Sequence, residues 1–213
     1  MIGLFLNNFY KTISGMKMLM SVLFIIGAII IGFVDSQIIV QTFIFTIILS
    51  ISAYSLMSIR KDADSRWNKY EITLPVKRKT IVKSKYLSFV FWLLVATIMA
   101  ALFTGIIIIV KGNKYFDFGM RDIITIFTAS ISLVLQICSF FHIGLYLLGL
   151  EKSDILIILS LILSIGFTVL LAGILNKVNI SIETGRTIIL GTSILIFWLS
   201  YNITKLLYSR FEF

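Results

Sequence analysis

One proline, one cysteine and one histidine are all that the 213 residues contain, and each scarcity removes a class of chemistry. Cys138 has no partner for an intrachain disulfide and no Cys/His zinc spacing, so within its apolar run it reads as a buried structural thiol. His142, in SFFHIGLYLLG, has no His, Cys or carboxylate three or four residues after it. A metal there would need ligands from three other helices, so a packed or pore-facing histidine is expected and no metal site. Charge is scarce as well: charged residues make up 14% of the chain, and the acids lie in loops or at the ends of apolar runs. That excludes paired intramembrane aspartates and the midplane carboxylate of a proton- or sodium-coupled carrier. HExxH and Gly-x-Ser-x-Gly are both missing, and so is GxxxxGK[ST], the loop that cradles nucleotide phosphates. The chain is expected to be no enzyme, with no nucleotide site of its own.

What is present is hydrophobic. At 59% apolar residues and a mean hydropathy of +1.03, the sequence lies well outside soluble domains, which run about 45–50% apolar. The fold class expected is all-α: a polytopic membrane protein with six transmembrane helices in one domain. The spans lie at about 18–34, 38–59, 86–110, 123–150, 155–175 and 186–207, most within the roughly 17–25 residues that cross a hydrocarbon core. The fourth is longer, so it should tilt, kink near Gly144, or project beyond the bilayer. Residues 1–17 place Ile2, Phe5, Leu6, Phe9, Ile13 and Met16 near one side at helical spacing, the pattern of an interfacial amphipathic helix. The N-terminus lacks the pattern of a signal peptide, and no cleavage is expected.

Between the second and third spans lies the longest polar run, residues 60–85, with nine of the 19 Lys and Arg. Asp62 can pair with Arg66 four residues on, and Asp62 and Asp64 suit the positive end of a helix. A short helix from Asp62 to Leu74 would place Trp67, Tyr70 and Leu74 on one face and stop before Pro75, since the residue preceding proline is pushed toward extended geometry. A second helix should then run through Lys83 and Lys85 into the third span. Such a segment reads either as a plain interfacial loop or as a docking helix that carries a push from a bound protein to the bundle. Orientation follows from charge. With six spans, Lys111, Lys114, Arg121, Lys177 and Arg186 fall on one side and the other 14 of the 19 cations on the opposite one. The positive-inside rule places that richer side, with both termini and residues 60–85, in the cytoplasm. The formal charge of +9 is thereby assigned to anionic lipid head groups and not to nucleic acid.

Residues Asp62, Trp67, Tyr70-Glu71, Leu74-Pro75, Arg78 and Ile81-Val82-Lys83-Ser84-Lys85-Tyr86 resemble a motif of the permease subunits of bacterial ATP-binding-cassette type-2 exporters, particularly the phenol-soluble-modulin (Pmt-type) group. Gly3 to Tyr10 is similar to that family's N-terminal interfacial helix, although relatives often carry Lys-Asp where this chain has Asn7-Asn8. The resemblance implies a coupling helix between spans 2 and 3, with Asp62, Arg66, Trp67, Tyr70, Glu71, Leu74, Pro75 and Arg78 as docking residues for cytoplasmic ABC ATPase subunits. It also implies a second permease copy, identical or a paralogue, and ATP and Mg bound only by the partner ATPase. Hydrophobic or amphipathic cargo, cytolytic or antimicrobial peptides foremost, would leave through the bacterial cell membrane. The alternative is a membrane immunity protein that sequesters a peptide without nucleotide.

Overall fold

The computed structural model describes residues 2–64, 67–73, 77–117, 119–149 and 152–210. Among them the chain is all helical: α1 (Ile2–Phe33), α2 (Gln37–Asp64), the short α3 (Trp67–Thr73), α4 (Arg78–Lys111), α5 (Met120–Leu148), α6 (Ser153–Lys177) and α7 (Ile182–Arg210), with a single 3-10 turn at Gly112–Tyr115. Six of these are long and apolar enough to cross a membrane, which makes the chain a polytopic all-α membrane protein.

Helix boundaries differ from the apolar runs in an instructive way. Residues 2–33 form one uninterrupted helix of 32 residues, so the amphipathic turns expected at the interface are the opening turns of the first span helix itself. No proline separates the two halves, and a lone glycine, Gly15, does not stop a helix. Likewise α2 runs on to Asp64 and α4 begins at Arg78. At 34 residues α4 is about 51 Å long at 1.5 Å per residue, well beyond a hydrocarbon core of roughly 30 Å. In α5 the helix continues through Gly144. The missing side chain there admits a neighbour: a Cβ would lie 2.9 Å from Leu156 Cδ2 of α6.

Two helices organise the core. α5 packs against α2, α6 and α7, and α4 packs against α1, α2 and α7. On α2 the fully buried Ile44, Ile48 and Ile51 recur at helical spacing, and on α4 the stripe of Ala96, Ala100, Thr104 and Ile107 faces inward, its small residues letting helices approach closely. Ile98, Leu102 and Ile109 of α4 are exposed, as are most apolar residues of α6; in a membrane these are the lipid-facing surfaces. Cys138 and His142 are both buried in α5, where His142 Nδ1 lies 2.9 Å from the Cys138 carbonyl and its ring sits 4.4 Å from that of Tyr86. No cluster of metal-ligating residues occurs among the described residues.

The two ends of the bundle are tied differently. At one end, Leu4 of α1, Ile81, Val82 and Tyr86 of α4 and Tyr208 of α7 form a small buried cluster beside α3, so the first turns of α1 and the last turns of α7 lie together there. At the opposite end the α4–α5 connection is fastened to the α1–α2 turn. Tyr115 Oη donates to Asp35 Oδ1 at 2.6 Å, Lys111 Nζ donates to the Val34 carbonyl at 2.7 Å, and Gln41 Nε2 donates to the Tyr115 carbonyl at 3.1 Å. The Tyr115 hydroxyl, followed by Lys111, holds the Asp35 carboxyl below its ordinary pKa of 3.8.

Candidate functional site

The polar stretch folds as the last turns of α2, the seven residues of α3 and the first turns of α4. Asp62 is therefore not at the start of a short helix, where its charge would meet a positive helix end. It stands in the last turn of α2, because Arg60-Lys61-Asp62-Ala63-Asp64 contains no glycine or proline to end that helix sooner. Its partner is Lys11 of α1, across 51 residues of sequence. Arg66, Leu74 and Pro75 lie outside the described residues.

Lys11 is the hub of this contact. Its ammonium reaches Asp62 and also sits 4.6 Å from the ring centroid of Trp67, a cation–π distance. With its amide oxygen turned toward them, Asn7 accepts from Trp67 Nε1 at 3.2 Å and from Lys11 Nζ at 3.1 Å. Lys61 Nζ donates to the Lys11 carbonyl at 3.3 Å. The departure from Lys-Asp at residues 7–8 thus leaves α1 with an ion pair to this segment, supplied by Lys11.

The other anchor is Glu71, which pairs with Lys85 of α4 at 3.1 Å, both side chains being almost wholly buried. Lys85 falls on the inward stripe of α4, at helical spacing with Ile81, Ser88 and Trp92, all buried. Next to it, Tyr86 points to α7: its hydroxyl lies 2.8 Å from Ser200 Oγ and 3.1 Å from Thr204 Oγ1, and Ser200 donates in turn to the Ser139 carbonyl of α5 at 2.9 Å. Consecutive residues of α4 therefore grip α3 on one side and the α5–α7 pair on the other. The pair fixes where α3, too short to be stable alone, sits on α4, since taking out one member would leave the other charge buried and unpaired at a cost of about 3–5 kcal/mol.

What α3 offers outward is small and aromatic. Tyr70 is 65% exposed, Trp67 is half-buried, and Thr73, Lys77 and Lys79 are exposed along the same rim, while Asp62 and Glu71 are turned inward at 2% and 1% exposure. Arg78 opens α4 and is half-buried. The sequence-derived residues thus divide into inward anchors and an outward rim. Sequence reasoning missed the anchors' partners Lys11 and Lys85; only the place of Lys85 on an apolar stripe signalled that it needs a buried counter-charge.

A family model described as ABC-2 family transporter protein matches residues 3–209. The chain belongs to that family. Neither the curated proteins nor the solved structures compared with it gave a match. As an ABC-2 family member it is a multi-pass membrane permease subunit of an ABC transporter, and membership implies an ABC ATPase as its partner. The ABC-2 permease carries, at one end of its bundle, a short helix tied to α4 by a buried ion pair and to α1 through Trp67, and presenting an aromatic rim.

Proposed function

We propose that this permease exports hydrophobic or amphipathic cargo, cytolytic or antimicrobial peptides foremost, as in the Pmt-type group, with α3 as the coupling helix received by the ATPase. The observation that carries the reading is the double anchoring of α3, by Trp67 to Lys11 and Asn7 of α1 and by Glu71–Lys85 to α4, with Tyr70 left exposed. Tyr70 and Trp67 make the contact, and Asp62 and Glu71 position them. Arg78 shapes the exit into α4, as do Leu74 and Pro75.

In this reading the α3 end faces the cytoplasm of a bacterial cell, in keeping with the positive-inside charge bias, and both termini lie there. The permease works beside a second copy, itself or a paralogue. It hydrolyses nothing, ATP and Mg being bound by the ATPase pair whose closure draws the coupling helices together. The middle reaches of the spans carry no charge and suit amphipathic cargo better than ions.

The test is purification of tagged permease from native membranes in mild detergent, followed by mass spectrometry and an ATPase assay. A stoichiometric ABC ATPase is expected, with Tyr70→Ala lowering its permease-stimulated activity at least tenfold, the cost of truncating an aromatic hot spot of about 2 kcal/mol, while the permease stays monodisperse. Full stimulation and transport by the Trp67→Ala/Tyr70→Ala double variant removes the coupling role. Peptide protection that persists with every partner ATPase deleted replaces export with sequestration.

A further inference from the structure

α6 and α7 pack mainly on α5 and little on each other, and at the end of the bundle opposite α3, where their connection joins them, a cleft opens between them in front of α5. The cleft between them has a volume of about 520 Å³, within the range of small-ligand pockets. Its back wall is the first turns of α5, its sides the last turns of α6 and the first turns of α7, so it lies in the membrane leaflet at that end.

The chemistry of the wall is more restricted than its composition. Thr125, Thr128, Ser132 and Thr168 line the cleft, yet each hydroxyl already donates to a carbonyl of its own helix, at 2.7–2.8 Å. They leave the ligand methyl groups and lone pairs but no free proton. One turn along α5 from Ser132, Gln136 Nε2 donates to Ser193 Oγ of α7 at 2.8 Å, and Gln136 Oε1, 2.9 Å from Thr168 Oγ1 of α6, is an alternative acceptor for the one Thr168 proton.

Among the described residues that line the cleft, the one cation is Arg186, at the mouth in the second turn of α7. Its hydrogen bonds to the Arg121 carbonyl at 3.4 Å and Thr125 Oγ1 at 3.2 Å both use Nη1, which fixes the guanidinium while its other nitrogens keep their protons. Its acidic neighbour Glu183 is engaged with Arg121 at 3.5 Å. A largely apolar wall whose α5 and α6 hydroxyl protons are already engaged, with the polar Asn176 and Ser181 and one fixed guanidinium as its other polar groups, suits a ligand with an apolar tail and one anionic head. We propose that this cleft binds a single anionic phospholipid, an acyl chain between α6 and α7 and the phosphate on Arg186. Charge complementarity selects this occupant, because an arginine fork recognises phosphate oxygens in a bidentate manner. The second large cavity, about 370 Å³ among α1, α2 and α4, is lined by apolar residues alone and has no means of telling one head group from another.

The full chain, purified in mild detergent, is incubated with phosphatidylglycerol or phosphatidylcholine of identical acyl chains, and retained lipid is counted by native mass spectrometry. Wild type is expected to keep phosphatidylglycerol in preference. Arg186→Gln should lower that preference about tenfold, the effect of losing charge-assisted hydrogen bonds, whereas Lys114→Gln, an equal loss of charge at an exposed residue of the α4–α5 connection that does not line the cleft, should leave it unchanged. Gly173→Phe fills the cleft, where a Cβ meets no atom within 4 Å, and should abolish the selective lipid in a protein that still elutes as a single peak. The proposal is overturned if Arg186→Gln keeps the wild-type preference, if Lys114→Gln loses as much, or if Gly173→Phe retains the same lipid. It is also overturned if an amphipathic anionic peptide occupies the cleft and phosphatidylglycerol fails to displace it.

Discussion

Replacing Lys85 with methionine tests how α3 is held. The change keeps the length and apolar stem of the side chain and deletes the charge, leaving the Glu71 carboxylate 1% exposed with its counter-charge gone. An orphaned buried charge costs about 3–5 kcal/mol, but the protein can avoid that cost by letting α3 leave α4 and hydrate Glu71. The seven residues of α3 have little stability of their own, and Lys11 with Trp67 resists their departure by a cation–π contact worth about 1–2 kcal/mol. The cost of the orphaned charge outweighs that contact, so local release is expected and not unfolding of the bundle. Limited trypsin digestion in detergent reads this directly, since Arg66, Lys69, Lys77 and Lys79 flank or lie within α3. Lys85→Met should speed cleavage there by at least tenfold with little change in the thermal midpoint of the spans. The double variant Glu71→Leu/Lys85→Met, which removes both charges, should restore most of the protection. Wild-type cleavage in Lys85→Met, or no recovery in the double variant, would refute the account.

Three further outcomes are expected. Gln136→Leu breaks the bridge among α5, α6 and α7, yet interhelical hydrogen bonds in membranes average only about 0.6 kcal/mol, so a small loss in unfolding free energy is expected, and a loss well above about 2 kcal/mol would show the bridge to be organising the bundle. Folding lowers the Asp35 pKa, so the Asp35–Tyr115 clasp is at full strength above 3.8 and is lost as pH falls through the lower folded value; Tyr115→Phe should flatten that acid-side loss, measured by hydrogen exchange of residues 112–117, and an unaltered profile would contradict it. Gly15→Ala drives a Cβ into the Tyr54 hydroxyl and sets it 2.9 Å from Tyr54 Cζ, an overpacking cost of about 1–3 kcal/mol in thermal unfolding; Tyr54→Leu in the same chain should recover most of it, and equal destabilisation of single and double variants would place the fault elsewhere.

Apolar runs made the six spans readable because a bilayer demands about 20 apolar residues in a row, and Pro75 marked the division ahead of α4 for a similarly local reason. Where helices end in water was harder to see. Residues 14–17 and 60–64 contain no proline, so α1 and α2 pass through segments whose polarity suggested a boundary. The charge partners were the least legible part. Asp62 has several cations near it in sequence, among them Lys61 and Arg66, and its anchor is Lys11 from another helix. Helical periodicity states which side of α4 Lys85 occupies, yet not that Glu71, from a separate short helix, lies over it. Such pairings are decided by how helices lean together, which no local pattern encodes.

α4 is a single helix tied near both ends, to Glu71 through Lys85 two turns from its start and, through Lys111, to the Val34 carbonyl at its end. The stretch from Lys85 to Lys111 is about 39 Å long and converts angle into distance: swinging it by about 6° about Lys85 carries Lys111 roughly 4 Å, more than the reach of a hydrogen bond. A tilt of α4 by more than a few degrees therefore has to carry the α1–α2 turn with it or break the ties of Lys111 and Tyr115 at that end.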